Sequence, residues 1–228
     1  DMGVALSDIK FTAFLVLIGL AFWLPFWSFF NLLAIYVDTN LDTAALYGNI
    51  KSVLGSGVAN FLSREENGTR VLLGETIAHT GFIIMIFQIF VSRVAEKFKA
   101  MPAFTLGLVI SALGFFFLGF ANIGAAAWVF MGILLFAIGE MICSPRIQEY
   151  ITWIAPKEKA GLYMGTNFLA IGLGGTLSGV TYTSLYGYFD RLGTPGWVWF
   201  TMAIHTIVGI GILWAYTKFV VEFVELEE

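Results

Sequence analysis

Six apolar stretches, at about residues 11 to 37, 74 to 92, 102 to 121, 127 to 154, 161 to 189 and 197 to 219, constrain this chain more than any other feature. At 1.5 Å per helical residue each is long enough to cross a hydrocarbon layer about 30 Å thick. Only an element that satisfies its own backbone survives in lipid, so runs of this length fold as helices. The expected fold class is an all-α integral membrane protein: one six-helix transmembrane bundle over residues 1–228. Composition agrees, with 58% hydrophobic and 12% charged residues, where a soluble domain carries about a quarter charged. A soluble globular domain and a disordered chain are both excluded. The net charge of −4, with 12 Lys plus Arg spread thinly, excludes a basic nucleic-acid groove. The expected surroundings are a lipid bilayer. The chain opens on Asp1 with no basic leader before the first apolar stretch, which suggests a cut start and a longer parent protein.

Lys and Arg distribution sets the orientation. The side that holds both termini has seven (Lys10, Arg93, Lys97, Lys99, Lys157, Lys159 and Lys218). The other has four (Lys51, Arg64, Arg70 and Arg191). Both termini are therefore expected on the cytoplasmic face of the cell (inner) membrane. The long loop, about residues 38–73, is then external. Within it Leu46, Ile50, Val53, Leu54, Val58, Phe61 and Leu62 recur at near-helical spacing, as in an interfacial helix or one packed over the bundle mouth. Asn67-Gly68-Thr69 matches a glycosylation acceptor triplet, a pattern common by chance.

With six spans, the second group of three runs opposite in sense to the first. Proline interrupts the first span of each group, at Pro25 and Pro145. Two inverted three-helix repeats with hinged leading helices are the secondary-transporter arrangement, although proline also serves merely to curve a packing surface. Span five is dense in small residues. Gly161 to Gly165 and Gly175 to Gly179 each give the four-residue spacing of close helix packing, and Gly174 and Gly175 add a candidate bend.

Span four carries the main chemical signal. Glu140 lies about 12 residues into it, roughly 18 Å along a helix and so near mid-bilayer. A carboxylate at that depth costs a few kcal/mol unless it faces a cavity, meets a cation or holds a proton. Ser144 follows on the same helical face. Arg146 and Glu149 are three apart near the end of the span and read as a structural pair. The other intramembrane polar residues are Asn31, His79, Gln88, Asn167 and His205. His205 is either a proton relay or an interhelical hydrogen-bond donor. Trp23, Phe26, Trp27 and Phe30 share one stripe of span one, a pattern of packing more than of a substrate wall. Cys143 lies in an apolar run and reads as a small buried hydrophobe. No phosphate-binding loop or metal-ligand cluster is present, so neither cofactor nor metal is expected. Two non-transport classes stay open: a self-standing six-span scaffold or channel, and an intramembrane serine hydrolase pairing Ser178 with His205.

The run Gly139-Glu140-Met141-Ile142-Cys143-Ser144-Pro145, then Ile154-Ala155-Pro156, Met164-Gly165 and Phe168-Leu169, resembles spans ten and eleven of the proton-coupled oligopeptide transporters. The whole six-span pattern resembles the C-terminal half of a major facilitator superfamily transporter. Arg93 to Met101 resembles the basic loop between its spans eight and nine, and Phe26-Trp27 with Asn31 more loosely resembles its span seven. In that family the glutamate of span ten helps bind the peptide amino terminus, a role the resemblance implies for Glu140. Arg146-Ile147-Gln148-Glu149 after Ser-Pro, and Asn31 where glutamine is usual, depart from the pattern and suggest a divergent branch. The resemblance implies a proton-coupled symporter of a small peptide-like or other polar solute, completed by a missing N-terminal six-helix half or a second copy. The expected substrate-binding residues are Glu140, Ser144, Asn31, Trp27 and Asn167. Glu140 and His205 would couple protons, and Pro25, Pro145, Gly174 and Gly175 would act as hinges.

Overall fold

The computed structural model describes residues 2–220; Asp1, on which the reading of a cut start rests, lies outside them. Six helices are long and apolar enough to cross a membrane: Ile9–Asn40, Gly74–Ala95, Ala100–Leu118, Trp128–Ile154, Lys157–Arg191 and Trp197–Phe219. They match the six apolar stretches to within a few residues and make this a multi-pass integral membrane protein.

Span one follows a short helix, α1 (Met2–Leu6), and begins where Asp8 caps α2 (Ile9–Ile18) by accepting from the amides of Lys10 and Phe11. A π-helical turn over Gly19–Trp23 leads into α3 (Leu24–Asn40). The bend has a local cause: Pro25 has no amide to continue the ladder. Span one is the most buried of the six, and spans two and five the least.

Between spans one and two, Asp42 caps α4 (Thr43–Leu62), which kinks at Gly55, where φ is +82°. Its first turns are anchored, with Leu46 fully buried, while Val53 and Phe61 are each 79% exposed. An apolar face therefore points away from the bundle. A hairpin follows, β1 (Arg64–Glu66) on β2 (Thr69–Val71), closed by Asn67 and Gly68 with φ of +50° and +77°. Asn-Gly between two strands is a tight-turn signal, so the triplet read as a glycosylation acceptor has a sufficient structural role.

Spans three and four, α7 (Ala100–Leu118) and α8 (Trp128–Ile154), make the closest helix pair. Gly107 and Gly114 of α7 face Gly139 and Gly132 of α8. A methyl group on Gly139 would lie 2.1 Å from Ser111 Oγ, and one on Gly114 would lie 2.8 Å from the Phe136 amide nitrogen. Small residues permit this approach, and dispersion contacts then hold it. Cys143 is fully buried here, its thiol against the Phe104 carbonyl. Phe29 stacks on Phe136 at 3.8 Å, tying span one to the pair. Span five is α9 (Ala160–Arg191), one continuous helix, and span six is α10 (Trp197–Phe219). Gly161, Gly165 and Gly179 have nothing within 4 Å of an added methyl, so the close approach expected of them is not made within this chain; Gly174 makes it instead, against Trp23 and Leu24.

Candidate functional site

Glu140 projects from α8 one residue past Gly139, the point of closest contact with span three, so tight packing fixes its backbone. Its side chain is half-buried and accepts a hydrogen bond of 3.2 Å from Thr80 Oγ1. Thr80 is 3% exposed and sits where span two breaks. α5 (Gly74–Ile77) ends, Ala78–Thr80 leave the helix, and α6 (Gly81–Ala95) begins. The first turn of span two is itself pinned to span one: the Gly74 amide donates to Asp38 Oδ1 at 2.6 Å, and Gly74 packs on the Ala34 backbone. A carboxylate near the middle of span four thus meets a hydroxyl at a helix break. Among the described residues no cation is paired with it.

One helical turn on, Ser144 is also half-buried, and Pro145 lies within an otherwise continuous α8. Arg146 and Glu149 pair with each other, as expected from their spacing, and line a cavity of about 280 Å³ with Ser92 and Glu96 of span two.

A second polar cluster joins spans one and five. Asn31 Nδ2 donates to Ser178 Oγ at 3.0 Å, and Ser178 donates to the Gly175 carbonyl at 2.7 Å. Trp27, 36% exposed, lies over Gly175, where an added methyl would sit 3.5 Å from its ring. The rest of the aromatic stripe is packing: Phe26 contacts the rings of Trp23, Trp27 and Phe30 at 5.1 to 5.4 Å. Farther along the same pair of spans, Tyr186 bonds both Thr39 and Asn40. Asn167 joins neither cluster; it is 3% exposed, and its buried carbonyl oxygen has no hydrogen-bond partner.

His205 bonds on both ring nitrogens, Nδ1 to Tyr182 Oη at 2.6 Å and Nε2 to the Leu20 carbonyl at 3.0 Å. Ser178 and His205, which a hydrolase would pair, are therefore each engaged elsewhere. Among the described residues no three His, Cys, Asp or Glu side chains are grouped to hold a metal.

The sequence pointed to Glu140 and Asn31 but not to their partners. In span two it drew attention to His79 and Gln88, yet His79 is exposed and Gln88 bonds Ser92 within its own helix. Thr80, between them, is the residue that meets the carboxylate. A signal existed in Thr80-Gly81 interrupting an apolar run, a pairing that favours a helix break over a helix interior.

No family profile matches the chain. Among curated proteins it is similar to the class B tetracycline resistance protein of Escherichia coli, 24% identical over 57% of this chain and 31% of that one. The magnetosome protein MamH of Paramagnetospirillum magneticum is 31% identical over 54% of this chain and 28% of its own length. The multidrug resistance protein MdtH of Aeromonas hydrophila is 30% identical over 49% and 28%. The chain thus spans about a third of the length of the curated relatives it matches. A solved POT family transporter, in complex with 5-aminolevulinic acid, superposes with a TM-score of 0.64 at 20% identity. That match covers 95% of this chain and 46% of the transporter. The likenesses run to transporters of the major facilitator kind rather than to enzymes.

Proposed function

We propose that this chain, which has the fold of one six-helix half of a major facilitator superfamily transporter, works as half of a proton-coupled symporter for a small, polar, amine-bearing solute. The observation that carries the reading is Glu140: a carboxylate near the middle of a membrane-spanning helix, half-buried, held by a hydroxyl instead of a cation. In such a place a carboxylate needs a proton or an incoming positive group. For symport it is the proton that Glu140 takes, with the solute bound beside it, so that both cross in the same direction and are released together. Either ligand shifts the equilibrium between the two access states only through its differential affinity for them. The amine class is supported by the POT family transporter that binds 5-aminolevulinic acid. Trp27, Asn31 and Ser144 complete the solute surface, and the buried, unpartnered carbonyl of Asn167 is a further candidate contact.

The cavity is formed against a second six-helix bundle, a missing N-terminal half or another copy. Spans two and five, the least buried, are the faces open to it. Both termini lie on the cytoplasmic side of the cell membrane, following the seven-to-four excess of Lys and Arg. Pro145, which interrupts the backbone ladder inside the continuous α8, lets the leading helix of the second repeat change angle.

The test is uptake by the natural membrane protein in proteoliposomes under an imposed proton gradient, with 5-aminolevulinic acid and a neutral dipeptide as probes. Glu140→Gln is expected to abolish gradient-driven uptake at unchanged protein level. Uptake unimpaired in that variant removes Glu140 from the mechanism.

A further inference from the structure

The π-helical turn of span one leaves one carbonyl without an amide. In the α register the Leu20 carbonyl would accept from Leu24, but the Leu24 amide bonds the Gly19 carbonyl instead. In the π register it would accept from residue 25, which is proline and has no N–H. Out of contact with water, a carbonyl left in this state costs about 1 to 3 kcal/mol. His205 Nε2 lies 3.0 Å from the Leu20 oxygen.

The carbonyl can only accept, so Nε2 carries the proton. In the neutral ring Nδ1 is then an acceptor, and the Tyr182 hydroxyl donates to it at 2.6 Å. The surroundings fit this contact. Gly209, one turn beyond His205, lets the backbone of span six approach Ala21, where a methyl group would come within 2.6 Å of the Ala21 Cβ. Gly174 lets span five approach Trp23 and Leu24 from its own side, where an added methyl would lie 2.5 to 2.7 Å from their atoms. Two helices thus converge by their backbones on the five residues of the bulge.

We infer that His205 stands in for the amide that Pro25 lacks, and is the positioning residue that holds the bend of span one. Trp27 and Asn31 lie within two turns past the bulge, so the bend sets the direction in which the solute-facing side chains of span one point. Tyr182 sets the tautomer of the imidazole and links spans five and six to the same carbonyl. Pro25, sought as a hinge, is then one member of a braced unit with His205, Leu20 and Tyr182. The placement of Trp27 and Asn31 matters through the transport reading, whereas the brace itself does not depend on it.

The experiment is therefore run on the full membrane protein without solute. Nitrogen-15 NMR of labelled histidine, assigned by comparison with a His205→Gln sample, is expected to show His205 as the neutral Nε2–H tautomer. His205→Ala is expected to lower the melting temperature by roughly 2 to 4 °C. His205→Gln, whose amide reaches the depth of Nε2, should recover most of that loss. His205→Asn, which ends at the depth of Nδ1, should not. In a Pro25→Ala background residue 25 regains its N–H, and His205→Ala should then lose less than half as much. An Nδ1–H tautomer overturns the inference, as does an equal loss in both backgrounds. The NMR result stands even if the Pro25 variant does not fold, and neither readout requires solute uptake.

Discussion

Glu140 and Thr80 meet at 3.2 Å, and this contact concentrates the chemistry of the chain at one residue pair. The hydroxyl fixes the carboxylate rotamer at the break in span two. Thr80→Val is expected to slow solute uptake about fivefold, the effect of one lost hydrogen bond of about 1 kcal/mol. Thr80→Ser should retain wild-type uptake, and a Val variant as fast as wild type would show the contact to be incidental. Packing makes a separate prediction. Gly139→Ala places a methyl 2.1 Å from Ser111 Oγ and should destabilise the protein by about 1 to 3 kcal/mol, read by thermal melting in detergent. Gly165→Ala meets open space and should leave the melting temperature unchanged. At this scale Glu140 was legible in the sequence because an acidic residue deep in an apolar run contrasts with its neighbours. Thr80 was not, since threonine is ordinary in a membrane helix and only tertiary contact reveals its partner. Ser178 was noticed as a nucleophile candidate, but its hydroxyl is engaged with Gly175 and Asn31.

Among the elements, the six spans were readable to within a few residues, because length and apolarity alone decide what crosses lipid. Interruptions within spans were less readable. Pro25 announced an irregularity in span one, but its π-helical form, and the contact of the Leu20 carbonyl with a histidine 185 residues away, appear only in the folded chain. The break at Ala78–Thr80 places Thr80 against span four, a contact that span two alone does not announce. The glycines that fit spans three and four together, Gly107, Gly114, Gly132 and Gly139, act as a matched set across two helices, whereas attention to single helices favoured the denser glycines of span five. The hairpin at residues 64–71 had its turn signal in Asn67-Gly68. Gly68→Ala forces an alanine to φ near +77° and should weaken the hairpin by about 1 kcal/mol. Limited proteolysis is expected to cut there faster in the variant, and an unchanged rate would mean that the turn tolerates the side chain.

For the whole molecule, the unequal burial of the spans matters most. Span one is enclosed by the bundle, whereas spans two and five expose most of their surface while carrying Thr80 and Ser178, the partners of the two polar clusters. In the transporter reading spans two and five face the other half, while the solute surface lies on spans one and four, whose polar side chains Thr80 and Ser178 hold. The fold agrees with a POT family transporter over 95% of this chain, and Glu140 is proposed to carry a proton across together with the solute. The most direct measurement is of the protons themselves, using a pH-sensitive dye trapped inside proteoliposomes that hold the natural protein. Adding an amine-bearing solute such as 5-aminolevulinic acid outside, with no imposed gradient, should acidify the interior in step with uptake, and Glu140→Gln should abolish the acidification. Solute accumulation with no change of internal pH, or the same acidification in the Gln variant, would contradict the account.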